Sequence, residues 1–178
     1  MSIKDLEAKA EKTLRETGTY HVPVPIEIVA QRLNLTMEAL PLGNVSGMLI
    51  VQGDQGAMGY NSAHARVRQR ITISHEIAHF ALHAKRIPKA QLFLDKHLMF
   101  RVDKSVSAKA DREEDEANRF GSALLMPKSL VQKEIRNCDL DLDDDDSIKL
   151  LAKKFWVSQV AMANRVLNLG MLLYPAND

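Results

Sequence analysis

The stretch ITISHEIAHFALH, residues 71–83, holds three of the chain's six histidines at four-residue intervals, with one glutamate between the first two. On an α-helix, residues four apart lie about 40° apart around the axis and about 6 Å along it. The imidazoles of His75 and His79 can therefore reach one metal ion. Glu76, about 100° from His75, is placed to contact a water held by that ion instead.

The spacing HExxH is typical of zinc hydrolases, in which one helical turn supplies two metal ligands and a general base. The rest of the stretch predicts a helix over about residues 66–84 that is buried nearly all round. Apolar residues cluster roughly opposite the histidines: Ile73, Ile77, Phe80 and Ala81. Ala78 and Leu82 fall nearer the histidines. The alternative interpretation is a core helix whose histidines pack as ordinary side chains.

A catalytic zinc site also needs a third protein ligand and an open position for water. The pattern HExxHxxGxxH does not apply, because Leu82 stands at the glycine and Lys85 at the last histidine. His83 lies two turns from His75, about 12 Å along the axis, and is expected to be partly exposed or to support the site from behind the ligands.

A glutamate from a later helix is the alternative third ligand, and DREEDEANRFGSALLMP, residues 111–127, offers several. Glu114 has Asn118 four residues on, so its carboxylate could bind the metal while the amide supports a ligand histidine. Glu113 and Glu116 remain open as alternatives. The acidic run could also be a solvated helix start that suits the helix dipole.

Composition sets limits on the class of protein. The chain has 178 residues, which suits one compact domain, and 24 Lys and Arg against 23 Asp and Glu give a net charge of +1. This balance gives no support for nucleic acid or an anionic membrane as a partner. Cys138 is the single cysteine and the N-terminus is charged from Lys4, unlike a signal peptide, so we expect a soluble cytoplasmic protein that does not meet a membrane.

The order of sequence patterns predicts an α+β fold. A first helix runs from about Ile3 to Gly18, and a second starts at Pro25. Short apolar segments between Leu35 and Asn61 predict a small twisted sheet with one hairpin. A further helix is expected over about residues 108–126, after a long loop from Lys85. We expect a domain over residues 1–137 and a helical segment, 138–178, packed on it.

Two further features carry functional alternatives. Residues 147–170 have the pattern of a helix-turn-helix, but aspartates at 139–146 would repel phosphate, so packing or partner contact is preferred over DNA binding. The segment AMGYN, residues 57–61, could form an edge strand to which an extended peptide adds. Tyr60 would then stabilise an oxyanion, or it is an ordinary core or edge tyrosine.

HEIAHF, at residues 75–80, and EDEANRFGSALLMP, at residues 114–127, together resemble the ImmA/IrrE family of metallopeptidases. RQRITIS, residues 68–74, and a short sheet ending in GYN precede the first motif, and the resemblance runs from about Val22 to Gly170. Gly121 stands where the family's pattern has alanine, and the loop from Lys85 to Ala108 is longer than expected.

The resemblance implies a zincin-like fold of the gluzincin type, with Zn²⁺ held by His75, His79 and Glu114 and with Glu76 as the base. It further implies an intracellular endopeptidase that selectively cleaves a DNA-binding transcriptional repressor of the helix-turn-helix class. The alternative from another class is a non-catalytic module that binds a repressor or DNA and retains a structural metal site.

Overall fold

The computed structural model describes residues 1–83, 110–142 and 144–171 in full, together with the backbone of 91–95 and 104–109. Over that part of the chain the protein is α+β, with seven helices and a four-stranded mixed sheet. The helices are α1 (Ile3–Glu16), α2 (Ile26–Arg32), α3 (Arg66–Leu82), α4 (Lys104–Leu125), α5 (Lys128–Cys138), α6 (Asp145–Phe155) and α7 (Gln159–Asn168). The strands are β1 (Leu35–Leu40), β2 (Gly47–Gln52), β3 (Gln55–Asn61) and β4 (Gln91–Asp95).

The sheet has the strand order β1-β3-β2-β4. The antiparallel pair of β2 and β3 is the predicted hairpin, and Gly53 in its turn has a φ of +64°, which glycine adopts without steric cost. β1 lies parallel to β3 on the other side. Alternate residues of these strands point to one face and are buried against α3, as expected for a sheet that a helix covers on one side. They are Leu35, Leu49, Val51 and Met58.

Two sequence-based expectations about the sheet are wrong. AMGYN lies in β3, a central strand whose two edges are already paired with β1 and β2, so no peptide can add to it there. The predicted loop after Lys85 contains β4, which pairs antiparallel with β2, and α4 begins at Lys104 rather than near Ala108. The unpaired backbone groups along β2 explain why a strand forms here. The rest of that loop, residues 84–90 and 96–103, lies outside the described residues.

α3 is buried along most of its length, as its sequence predicts. It packs between the sheet and α4, and α1 covers α4 in turn. The two C-terminal helices begin at side-chain caps: Asp144 accepts from the backbone N–H of Ser147 at 3.1 Å, and Ser158, the predicted cap, accepts from that of Ala161 at 3.1 Å. No helix in the described part of the chain is both long enough and apolar enough to cross a bilayer.

Arg70 connects the turn between α6 and α7 to the rest of the protein through hydrogen bonds. Its buried guanidinium donates to the carbonyl of Val24 at 2.9 Å and to that of Trp156 at 3.0 Å. It also lies 4.8 Å from the centre of the Trp156 ring. Trp156 has a φ of +55°, which is uncommon for a bulky side chain, and the contacts with Arg70 offset the cost of that conformation.

Replacement of Arg70 by methionine is expected to lower the free energy of unfolding by about 2–4 kcal/mol, because the carbonyls of Val24 and Trp156 lose their donors while the volume is kept. Urea unfolding of the whole chain measures the change. Arg136→Met, at an exposed position of α5, is the matched control and should stay within about 0.5 kcal/mol. Equal stabilities of the two variants would contradict this role of Arg70.

Candidate metal centre

One turn of α3 carries the three polar residues that the HExxH spacing singles out. His75, Glu76 and His79 are only 8%, 1% and 3% exposed. The apolar residues of the same helix explain this burial, since Ile73, Ile77 and Phe80 lie in the hydrophobic core and fix the helix in place. The histidine pair is therefore held on a rigid element.

Glu114 of α4 completes the group. Its two carboxylate oxygens lie 3.2 Å from Nε2 of His75 and 3.1 Å from Nε2 of His79. The two Nε2 atoms are themselves 3.0 Å apart. Glu114 is 53% exposed, so the group opens to solvent on the side of α4. Among the described residues, only His75, His79 and Glu114 form a cluster of three side chains that could hold a metal ion.

The other two glutamates of the acidic run lie outside that cluster. Glu116 forms an ion pair with the amino group of Met1 and with Arg112 at 3.4 Å, toward α1. Glu113 contributes its backbone carbonyl to a hydrogen bond with His83. Of the three glutamates that the run left open, Glu114 is the one that lies in a cluster with His75 and His79.

The donor set fits a tetrahedral metal ion. Zn²⁺ with bonds of about 2.0–2.1 Å to its ligands keeps neighbouring ligand atoms about 3.3 Å apart. The two imidazole nitrogens are 3.0 Å apart, close to that value, and each lies near a different oxygen of Glu114, at 3.2 Å for His75 and 3.1 Å for His79. One ligand atom from each of the three side chains lies within 4.8 Å of the other two. If all three side chains bound one tetrahedral ion, one position would remain for water, as in catalytic rather than structural zinc sites.

The surroundings of Glu114 favour its charged form. Burial by itself disfavours the carboxylate, but hydrogen bonds from His75 and His79 and the charge of the two rings outweigh it, so the pKa of Glu114 lies well below its usual range. A carboxylate that is ionised at neutral pH is available as a metal ligand.

Gly121 explains how α4 comes close enough to supply that ligand. A Cβ atom at this position would lie 3.1 Å from the backbone carbon and oxygen of Ser74 and 3.2 Å from the backbone nitrogen of His75. Such contacts are tighter than ordinary van der Waals distance, so a side chain here would require the two helix backbones to move apart by a few tenths of an ångström. The departure from alanine at residue 121 thus lies at the crossing of the two ligand-bearing helices.

Gly47 of β2 makes room for Glu76. A Cβ atom there would lie 2.7 Å from Oε1 of Glu76 and 2.4 Å from Cγ2 of Thr72. The carboxylate is therefore pressed against a strand that can approach only because it has no side chain at this point. Sequence reasoning missed this residue, although a glycine inside an apolar strand pattern is itself a sign of close backbone approach.

Comparison with known families agrees with this geometry. The profile described as the IrrE N-terminal-like domain of the peptidase M78 family matches residues 23–167. The chain belongs to that family. Its members are generally metalloproteases, so the group of His75, His79 and Glu114 lies in a domain of the metallopeptidase type. No curated protein matches the chain.

His83 is more deeply placed than the sequence indicated. It is 4% exposed, and its Nε2–H donates to the backbone carbonyl of Glu113 at 3.2 Å. Its ring centre is 5.6 Å from that of His79. Burial, together with the nearby charge of His79, lowers the pKa of His83. The residue joins the end of α3 to α4 immediately before Glu114.

Asn118 lies one turn from Glu114 along α4, and its side chain is exposed. It lines a cavity that also reaches His75. Within the part of the chain that the structure describes, no hydrogen bond joins its amide to either ligand histidine. A role for Asn118 in orienting a ligand stays a prediction.

Glu114→Gln is expected to weaken Zn²⁺ binding at least about 100-fold, because it removes the charged ligand from a three-residue set. Competition with a chromophoric chelator measures the affinity. Glu113→Gln and Glu116→Gln are the matched controls, and both should bind Zn²⁺ within about twofold of the original chain. Loss of affinity in either control, with Glu114→Gln unaffected, would show that the wrong glutamate is assigned.

Gly47→Ala is expected to lower the free energy of unfolding by about 1–3 kcal/mol, since the added methyl overlaps Thr72 and Glu76. Adding Thr72→Ser removes Cγ2, the nearer of the two clashing atoms, and should recover part of the loss in urea unfolding. Thr72→Ser alone is the control for the second change. A Gly47→Ala variant as stable as the original chain would mean that β2 and α3 are not in close contact.

Proposed function

We propose that this chain is a zinc-dependent endopeptidase of the gluzincin type. His75, His79 and Glu114 are the zinc ligands and Glu76 is the general base. The observation that carries the proposal is the convergence of ligand atoms from two helices within 4.8 Å of one another, on the same turn as a buried glutamate. Membership of the peptidase M78 family supports it.

The chemistry is hydrolysis of a peptide bond. Zn²⁺, when bound, lowers the pKa of a coordinated water toward about 7 and polarises the scissile carbonyl. Glu76 accepts a proton from the attacking water as the new C–O bond forms, and it delivers a proton to the leaving amine as the C–N bond breaks. Gly47 and the core around α3 hold Glu76 in place for both transfers.

The charge of the site suits this reaction. Two neutral imidazoles and one carboxylate would balance only part of the charge of a divalent ion, so a bound ion would leave the site positive and able to stabilise negative charge on the substrate carbonyl. Asn118, one turn along α4, is the proposed support for a ligand histidine.

We further propose that the fold is zincin-like, with residues 1–137 as the catalytic domain and 138–178 as a helical segment on it. The proposed substrate is a DNA-binding transcriptional repressor, cut selectively in the cytoplasm. The resemblance of HEIAHF and EDEANRFGSALLMP to the ImmA/IrrE family supports this substrate class. The single cysteine agrees with a reducing compartment.

The contacts of the C-terminal helices do not favour the alternative of a DNA-binding module. Arg165 of α7 is buried and forms a two-pronged ion pair with Glu7, at 2.6 and 2.8 Å. Lys154 of α6 pairs with Glu134 at 2.8 Å. Two of the four basic residues in this segment are thus committed to contacts within the protein rather than to phosphate.

The proposal is tested by comparing Glu76→Gln with His79→Ala. Glu76→Gln should keep Zn²⁺ and lose cleavage of a co-expressed helix-turn-helix repressor from the same genomic neighbourhood, because the amide cannot accept the proton. His79→Ala should lose Zn²⁺ as well, because it removes a ligand. Mass spectrometry of the repressor and metal analysis of the purified chain provide the two measurements.

The outcomes separate the two classes of function. Unchanged cleavage in Glu76→Gln would rule out the assigned base. If the original chain binds Zn²⁺ and the repressor but does not cut it, the non-catalytic module would be favoured. Salt-sensitive binding to DNA that disappears on deletion of residues 147–178 would favour the DNA alternative.

A further inference from the structure

A cavity of about 250 Å³ lies between α3, α4 and α7 and adjoins His75 of the candidate metal centre. It has room for about eight water molecules at about 30 Å³ each, which is enough for one side chain of medium size. α3 contributes Ile71 and His75, and α4 contributes Asn118 and Gly121. The C-terminal segment forms the remaining wall through α7.

The mouth of the cavity faces the same side as the opening of the metal centre. Glu114 and Asn118 are four residues apart and therefore lie on one face of α4. Both are exposed, and Asn118 lines the cavity while Glu114 completes the ligand set. A peptide that approaches the ligand group over α4 thus passes the mouth of the cavity.

The lining of the cavity is uncharged in effect. Arg165 is its single strongly charged side chain, and its guanidinium is fully used by Glu7 and by the carbonyl of Met126 at 2.9 Å. A substrate carboxylate or ammonium entering here would lose its hydration and find no counter-charge. The cavity therefore discriminates against charged side chains.

The remaining lining joins apolar surface to free amides. Ile71, Leu125 and Met126 form the apolar part. Asn118, Asn164 and Asn168 bring three side-chain amides, none of which has a hydrogen-bond partner within the described residues. An amide that is exposed to water can exchange that water for a polar group of a ligand at little net cost. This combination suits an aliphatic stem that ends in a neutral hydrogen-bonding group.

We propose that this cavity is a substrate subsite for an uncharged side chain of the glutamine type, and that Asn164 and Asn168 of α7 determine its specificity. The inference rests on the proposed peptidase function and adds a role for the C-terminal segment in substrate choice. In this proposal, α7 contacts a substrate side chain next to the scissile peptide bond and does not contact a nucleic acid.

The test uses three zinc-binding probes on the Zn²⁺-loaded full chain: the hydroxamates of N-acetylglycine, N-acetylglutamine and N-acetylglutamate. The hydroxamate group binds the metal, and the side chain samples the cavity. Calorimetry should show the glutamine probe binding about tenfold more tightly than the glycine probe, the equivalent of one good polar contact. The glutamate probe, equal in size but charged, should gain nothing over glycine.

Asn164→Leu and Asn168→Leu should remove most of the advantage of the glutamine probe and leave the affinity for the glycine probe unchanged. Asn137→Leu, at an exposed position of α5 away from the cavity, is the matched control and should keep the full advantage. Equal binding of the glutamine and glycine probes, or an advantage that persists in both Asn variants, would overturn the subsite. Failure of the glycine probe to bind the Zn²⁺-loaded chain would instead contradict the metal centre and remove both proposals.

Discussion

The close crossing of α3 and α4 is the constraint on which the site depends. α3 supplies two imidazoles and α4 supplies the carboxylate, so neither helix forms the candidate metal-binding cluster alone. The backbones approach where Gly121 faces Ser74 and His75, a distance that a larger residue would increase. Because metal–ligand bonds tolerate only a few tenths of an ångström, helix spacing at this point controls whether three atoms can bind one ion.

Placing a polar site inside a core is costly, and the fold offsets the cost locally. His75, Glu76, His79 and Arg70 are all buried in one helix, where unpaired polar groups would destabilise the protein. Arg70 finds two backbone carbonyls and an aromatic ring, and the histidines face a carboxylate. Arg70 therefore holds the turn between the two C-terminal helices. His75, Glu76 and His79, further along the same helix, form the candidate site.

The C-terminal helices show how one sequence pattern can serve two purposes. The spacing of apolar residues in these helices and the turn at Trp156 match a helix-turn-helix. Two of their basic residues, however, form ion pairs within the protein, Arg165 with Glu7 and Lys154 with Glu134. What α7 presents toward the candidate site is instead a set of neutral amides beside a cavity. The segment whose sequence pattern suggests DNA contact therefore forms, through its packing, part of a cavity wall next to the candidate metal centre.

The sequence by itself determined what depends on neighbours along the chain: the HExxH pair on one turn, the hairpin of β2 and β3, and the cap at Ser158. These follow from helical or turn geometry within a few residues. Tertiary structure decided what depends on contacts between distant segments. These features are the position of Glu114, rather than Glu113 or Glu116, beside the two histidines, the pairing of β4 with the edge of β2, and the central place of β3 in the sheet. A run of acidic residues places carboxylates on several faces of a helix. Only the crossing with α3 determines which of these carboxylates lies beside the histidines.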